Sequence, residues 1–148
     1  MKDIRELQSD VFNAVVTRVD TYALQQLNGS YLKEDAPFTL ETYQDDSNTV
    51  GAYLIGKTGL VKSGVIDIDI NKNALGDDRD ELDLKLREQT LGIQSVLEVH
   101  GLSSVIEDSG NKGYHLWLFL EKPVPAGNML NTLKSLAQEF VLVDQRLH

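Results

Sequence analysis

Apolar residues recur at spacings of three and four in three stretches of the chain, a pattern typical of amphipathic helices. We predict helices over residues 4–27, 80–99 and 126–140, and the first of these either runs unbroken or breaks internally. Runs of mostly apolar, often β-branched residues predict four strands, at residues 50–55, 63–70, 103–108 and 114–120. The order of helix, two strands, helix, two strands, helix predicts an α+β fold with an RRM-like antiparallel sheet and helices mainly on one face.

Two carboxylates interrupt the predicted strand at residues 63–70. Asp67 and Asp69 alternate with isoleucines, so both side chains point to the same face of the strand. If that face meets water at a sheet edge, the carboxylates are simply solvated. If it is buried, the two charges repel and lose hydration, and a divalent cation such as Mg²⁺ or Mn²⁺ relieves both penalties. This segment alone leaves both interpretations open.

A glycine-rich turn at residues 109–113 leads into the predicted strand at residues 114–120. The turn exposes backbone N–H groups and places Lys112 beside them, which suits a phosphate group. The same residue types also make an ordinary hairpin loop. His115 begins the following strand and shares a face with Trp117 and Phe119. Because both faces of this strand are largely apolar, we predict that it is central in the sheet.

The two segments together are more specific than either alone. They resemble the archaeo-eukaryotic primase superfamily, whose polymerase core has a DxD motif followed by an SxH-type motif. Residues 67–69 match the first motif, and residues 109–117 match the SGxxGxHxW form of the primase and PrimPol branches. The polymerase domains of bacterial end-joining ligases have a similar SGxKGxH motif.

Three segments upstream of the DxD strand narrow this resemblance. They read Arg-Val-Asp-Thr-Tyr-Ala, Gly-Ser-Tyr and Gly-Ala-Tyr, at residues 18–23, 29–31 and 51–53. These segments are similar to the primase-polymerase domains of TOTE conflict systems and of CRISPR-associated primases. The resemblance covers roughly residues 12–126.

The resemblance implies a polymerase palm-like core that acts as a DNA primase or primase-polymerase. Such an enzyme adds nucleotides from NTPs or dNTPs on a nucleic-acid template by a two-metal mechanism. The implied catalytic residues are Asp67, Asp69 and His115, and the two aspartates hold Mg²⁺ or Mn²⁺. The implied nucleotide-binding residues are Ser109, Gly110, Lys112, Gly113 and His115.

The family also uses a third acidic metal ligand downstream of the SxH strand. Here it is either Asp144, delivered by a short strand at residues 141–143, or a residue beyond His148. We therefore expect residues 1–148 to form a single catalytic core domain, which either includes this ligand or is truncated before it.

Composition limits the other possible functions. The chain has no cysteine, which excludes disulfides, thiolate zinc sites and a cysteine nucleophile and fits a reducing cytoplasm. No apolar run approaches the length of a membrane span. The net charge of −9 disfavours tight binding of nucleic acid, so we expect weak binding of a DNA template and primer, with further domains or proteins of a larger system contributing.

Two other classes of function use the same residues. A metal-dependent nuclease could rely on the same two carboxylates, since the metal chemistry does not determine the reaction. A degenerate polymerase core could instead serve as a non-catalytic nucleotide-binding or interaction module, which the net charge of −9 favours.

Overall fold

The computed structural model describes residues 2–74 and 78–139. Its helices are α1 (Ile4–Val15), α2 (Leu40–Tyr43), α3 (Arg79–Val99) and α4 (Ala126–Gln138), with a 3₁₀ turn at Lys72–Ala74. Its strands are β1 (Tyr22–Gln25), β2 (Tyr31–Glu34), β3 (Val50–Gly51), β4 (Leu60–Asp69), β5 (Ser104–Asp108) and β6 (Gly113–Pro125). The chain divides into two compact units, one with residues 1–63 and 120–128 and the other with residues 64–119 and 129–148. The predicted α+β class is confirmed.

The first unit begins with a shorter helix than the sequence predicts. A capping box between Asp3 and Glu6 starts α1, but the backbone is already extended at Val16. The prediction of a helix over residues 4–27 is therefore wrong beyond Val15. The residues that follow include several β-branched side chains, which fit a strand better than a helix.

The segment that replaces the end of this helix is a strand. β1 lies in the middle of a three-stranded sheet with the order β2-β1-β3, and both pairs are antiparallel. In the register, Leu24 of β1 faces Leu32 of β2 and Val50 of β3. The pairing of β1 with β3 ends at Gly51, so the prediction of a strand over residues 50–55 is too long.

The second unit is built on a sheet with the strand order β4-β6-β5, so β6 is central, as predicted. Alternate residues of β4 and β6 contribute to a core with residues of α3 and α4. The buried members are Ile68, Ile70, Ala74, Leu82, Leu86, Ile93, Leu97, Leu116, Leu118 and Leu136. The helices of this unit thus cover one face of its sheet. The other face carries Asp67 and Asp69 of β4 and His115, Trp117 and Phe119 of β6.

None of the described helices combines the length and the apolar composition that crossing a lipid bilayer requires.

Candidate active site

Asp67 and Asp69 lie near the end of β4, on the face opposite the core. Between and after them, Ile68 and Ile70 are 2% and 0% exposed. The two carboxylates differ in environment, because the side chain of Asp67 is 62% exposed and that of Asp69 only 16%. The alternation of β4 thus places two acidic groups on one face, one open to solvent and one shielded.

The turn between β5 and β6 uses its own polar groups to hold its shape. The backbone N–H of Gly113 donates to Oγ of Ser109 at 3.1 Å, and the N–H of Ser109 donates to the carbonyl of Gly113 at 3.0 Å. Gly110 has φ +74° and donates its N–H to a carboxylate oxygen of Asp108 at 2.7 Å. The hydroxyl of Ser109 therefore stabilises the hairpin turn in this structure.

This turn is attached directly to the DxD strand. Lys112 forms an ion pair with Asp69, and both side chains are less than 20% exposed. The backbone N–H of Ile70 donates to the carbonyl of Lys112 at 3.0 Å. A Cβ atom at Gly113 would lie 2.5 Å from the carbonyl oxygen of Ile68, so only glycine fits here without displacement. The fold thus brings the two sequence motifs into contact.

His115 lies between two carboxylates from the neighbouring strands. Its Nε2 is 3.7 Å from Oδ1 of Asp67 on β4, and its Nδ1 is 3.0 Å from Oε2 of Glu107 on β5. The indole N–H of Trp117 donates to the same Oε2 of Glu107 at 2.6 Å. One carboxylate oxygen therefore holds two side chains of β6.

Glu107 is a site residue that was not predicted from the sequence. It stands two positions before the turn, outside the SGxxGxHxW motif. The register of the hairpin pairs Glu107 directly with His115, and side chains of such a pair lie on the same face. Counting outward from the predicted turn would have found this pair.

The upstream segments that resemble the family come together in the first unit. Ala23 faces Gly51 in the pairing of β1 with β3. The guanidinium of Arg18 makes two hydrogen bonds to Asp20, at 3.3 and 2.9 Å, and lies 5.8 Å from the centre of the Tyr53 ring. These contacts join residues that are distant in the sequence.

A cleft of about 310 Å³ lies beside this arrangement and is lined by residues 17–20 and 56–58. Within it, the ammonium of Lys57 lies 3.2 Å from the carboxylate of Asp20, which is therefore shared by two cations. The hydrogen bonds from Arg18, together with Lys57, hold the pKa of the Asp20 carboxyl well below its usual range.

We expect Asp20→Asn to destabilise the protein at neutral pH but not in acid. A carboxyl whose pKa is lowered by folding contributes stability above its unfolded pKa, near 4, and this stability is lost as the pH falls towards the folded value. Urea denaturation of both proteins between pH 7 and pH 3 measures the difference, which should shrink below about pH 4. Asp46→Asn, at an exposed position, is the control, and a difference independent of pH would contradict the expectation.

Asp67 and Asp69 are the candidate metal ligands of the second unit. Among residues 2–74 and 78–139, no group of three or more His, Cys, Asp or Glu side chains is assembled for a metal ion. The predicted third ligand, Asp144, and the strand before it lie outside the described residues. Asp67 and Asp69 supply two hard carboxylate groups on one face, which is the ligand chemistry of Mg²⁺ and Mn²⁺.

Comparison with known families agrees with this arrangement. The sequence model described as the archaeo-eukaryotic primase domain of TOTE conflict systems matches residues 11–147. The chain belongs to this family. The resemblance expected from the DxD and SGxxGxHxW motifs is thereby confirmed, and the match of this primase domain includes residues 140–147, which lie outside the described residues.

A solved structure shares the fold of this primase domain. It is the polymerase domain of Mycobacterium tuberculosis Ligase D in complex with DNA, with a TM-score of 0.55 and 16% sequence identity. The match covers 93% of this chain but 61% of that one, so the primase domain spans less than two thirds of the neighbour. No curated protein matches the sequence.

Proposed function

We propose that this primase domain is a nucleotidyltransferase that adds NTPs or dNTPs to a strand on a nucleic-acid template. The supporting observation is the contact between the two motifs: Asp69 pairs with Lys112, and Asp67 lies 3.7 Å from His115. Carboxylates for metal ions thus lie beside a lysine and a histidine that can bind phosphates. Membership of the primase family supports the same reaction class.

In this proposal Asp67 and Asp69 hold Mg²⁺ or Mn²⁺, with Asp144 as the third ligand. When bound, two such cations would activate the attacking 3′-hydroxyl and neutralise the leaving pyrophosphate. Two carboxylates on one strand face, one of them open to solvent, suit this role.

The remaining site residues act on the triphosphate. Lys112 offers a positive charge and His115 offers ring nitrogens beside the two carboxylates of the DxD strand. Ser109 and Gly110 shape the turn that carries Lys112, and the missing side chain of Gly113 keeps the backbone close to β4. These residues would orient the phosphates. The charged side chains of the site would already be held in position by the fold before the nucleotide binds.

Calorimetric titration of a nucleoside triphosphate tests the proposal. We expect binding with Mn²⁺ and with Mg²⁺, and its loss when a chelator is added. Binding that does not change with chelator would contradict the assignment of Asp67 and Asp69 as metal ligands. Primer extension in Mn²⁺ would then measure turnover.

DNA as template and primer also belongs to the proposal. The Ligase D neighbour is in complex with DNA, whereas this chain carries a net charge of −9. We infer weak DNA binding that falls steeply with salt, because phosphate contacts release counterions. Other domains or proteins would supply additional contacts with the DNA.

The acidic composition also favours a second candidate function. A degenerate core that binds nucleotide without turnover would need no template surface, and the carboxylate of Asp69 is already neutralised by Lys112. Metal-dependent nucleotide binding with no incorporation on any primed template would support this alternative. Cleavage of DNA without nucleotide would instead indicate a nuclease.

Glu107 is expected to position His115 and Trp117 for the nucleotide. We expect Glu107→Ala to weaken nucleotide binding by about 10- to 100-fold. This change in affinity corresponds to the free energy that a hydrogen bond to a charged group usually contributes. Glu107→Gln keeps a carbonyl acceptor and should recover part of the affinity. Calorimetry measures the affinities, and Glu98→Ala on α3 is a control with the same loss of charge. Equal affinities for the Ala and Gln variants would argue against positioning through hydrogen bonds.

A further inference from the structure

Two aromatic side chains lie beside the candidate active site on the sheet face that the core does not use. The rings of Trp117 and Phe119 are nearly parallel, with an interplanar angle of 4° and centroids 6.3 Å apart. Phe119 is 39% exposed, and Val105, which faces Trp117 on β5, is 54% exposed. The second unit therefore presents an apolar aromatic surface to solvent although its core lies on the opposite face.

The polar group at the edge of this surface, the indole N–H of Trp117, already has a hydrogen-bond partner. The indole N–H of Trp117 donates to Glu107 at 2.6 Å, so the ring needs no further hydrogen-bond partner. This bond also restricts the rotation of the indole. Trp117 is half-buried, so part of a ring with a restricted orientation meets solvent, and an aromatic ring face binds other planar π-systems.

We propose that Trp117 and Phe119 form a stacking surface for the nucleobase of a bound nucleotide. The inference rests on the proposed function, in which Lys112 and His115 hold the phosphates. His115 and Trp117 stand two residues apart on the same side of β6, about 6.6 Å along the strand. A nucleotide with its phosphates at His115 can therefore reach the indole with its base.

Charge favours a base over other ligands at this surface. Glu107 borders the rings, and the chain has a net charge of −9, so a run of phosphates over the aromatic pair would be repelled. A nucleobase is planar and uncharged, and every base has a π-face that stacks on aromatic side chains. The arrangement thus separates a phosphate end, near Lys112, from a base end, at Trp117 and Phe119.

The test uses the fact that Trp117 is the only tryptophan of the chain, so its fluorescence reports this surface alone. ATP and inorganic tripolyphosphate are titrated separately in the presence of Mg²⁺. We expect ATP to quench the fluorescence and tripolyphosphate to leave it unchanged. Converted to affinity, the free energy that base stacking usually contributes predicts that ATP binds about 5- to 150-fold more tightly than tripolyphosphate.

Variants separate stacking from phosphate binding. By calorimetry, Trp117→Leu and Phe119→Leu should weaken ATP binding towards the affinity of tripolyphosphate and leave tripolyphosphate binding unchanged. Leu84→Ala removes an exposed apolar side chain from α3 and should change neither affinity. Trp117→Phe keeps an aromatic face and should retain most of the ATP affinity.

The outcomes distinguish the two proposals. Equal affinities for ATP and tripolyphosphate without quenching would overturn the stacking surface and leave the triphosphate site standing. If neither compound binds, the proposed function fails, and the stacking surface for a bound nucleotide fails with it. Fluorescence that changes with protein concentration but with no added ligand would show that a second copy covers the rings, which overturns the inference.

Discussion

Asp67→Ala is expected to reduce metal-dependent nucleotide incorporation by about 1,000-fold or more, because the loss of a metal ligand removes several kcal/mol of charge stabilisation from the transition state. The side chain of Asp67 is 62% exposed, so its removal should leave the fold intact. Asp69→Ala should have the same effect on incorporation and should also release Lys112 from its ion pair. The two variants thus separate the chemistry from the attachment of the turn.

Primer extension with Mg²⁺ and with Mn²⁺ measures this loss, and calorimetry shows whether metal-dependent nucleotide binding is lost with it. Glu98→Gln removes one negative charge from an exposed position on α3, outside both motifs, and should behave as wild type. The fluorescence of Trp117 checks that each variant is folded. An unchanged incorporation rate in either aspartate variant would refute the assignment.

Gly113→Ala is expected to destabilise the protein by about 2–3 kcal/mol, the upper part of the range for overpacking a tight site. The new Cβ would lie 2.5 Å from the carbonyl oxygen of Ile68 and would collide with the carboxylate of Asp69. Neither group can move freely, because β4 is paired with β6 and Asp69 is held by Lys112. The hairpin turn would therefore have to shift away from the DxD strand.

Gly92→Ala in the middle of α3 is the matched control for this substitution. Nothing lies within 4 Å of the position of its new Cβ, and alanine is the better helix former. This variant should stabilise the protein by about 0.5–1 kcal/mol. Urea denaturation measures both changes. A Gly113→Ala protein as stable as wild type would show that the two motifs are not packed as closely as the structure indicates.

Much of the second unit could be predicted from local patterns. The alternation around Asp67 and Asp69 predicted the direction of their side chains, since the period of a strand is two. The Gly-rich turn predicted a hairpin, and the spacing of Leu82, Leu86 and Ile93 predicted α3. In each case the deciding contacts are between residues that are near in sequence.

The first unit shows where local pattern is insufficient. Apolar spacing continues past Val15, but residues 22–25 gain partners in residues 31–34 and 50–51, and strand pairing then outweighs the helical period. In the sequence, the family segments at residues 18–23 and 51–53 are separate motifs. Their contact, with Arg18 over Tyr53, depends on that pairing.

The sequence by itself determined the residue types of the site and the faces of the strands that carry them, because both follow from short-range geometry. Only the tertiary structure decided which of these groups meet. The hairpin register is local, and it places Glu107 beside His115 and Trp117. Lys112, in contrast, reaches Asp69 across 43 residues of chain. That contact depends on how strands that are distant in sequence align in a sheet, and this alignment is set by the packing of the whole unit rather than by any one segment.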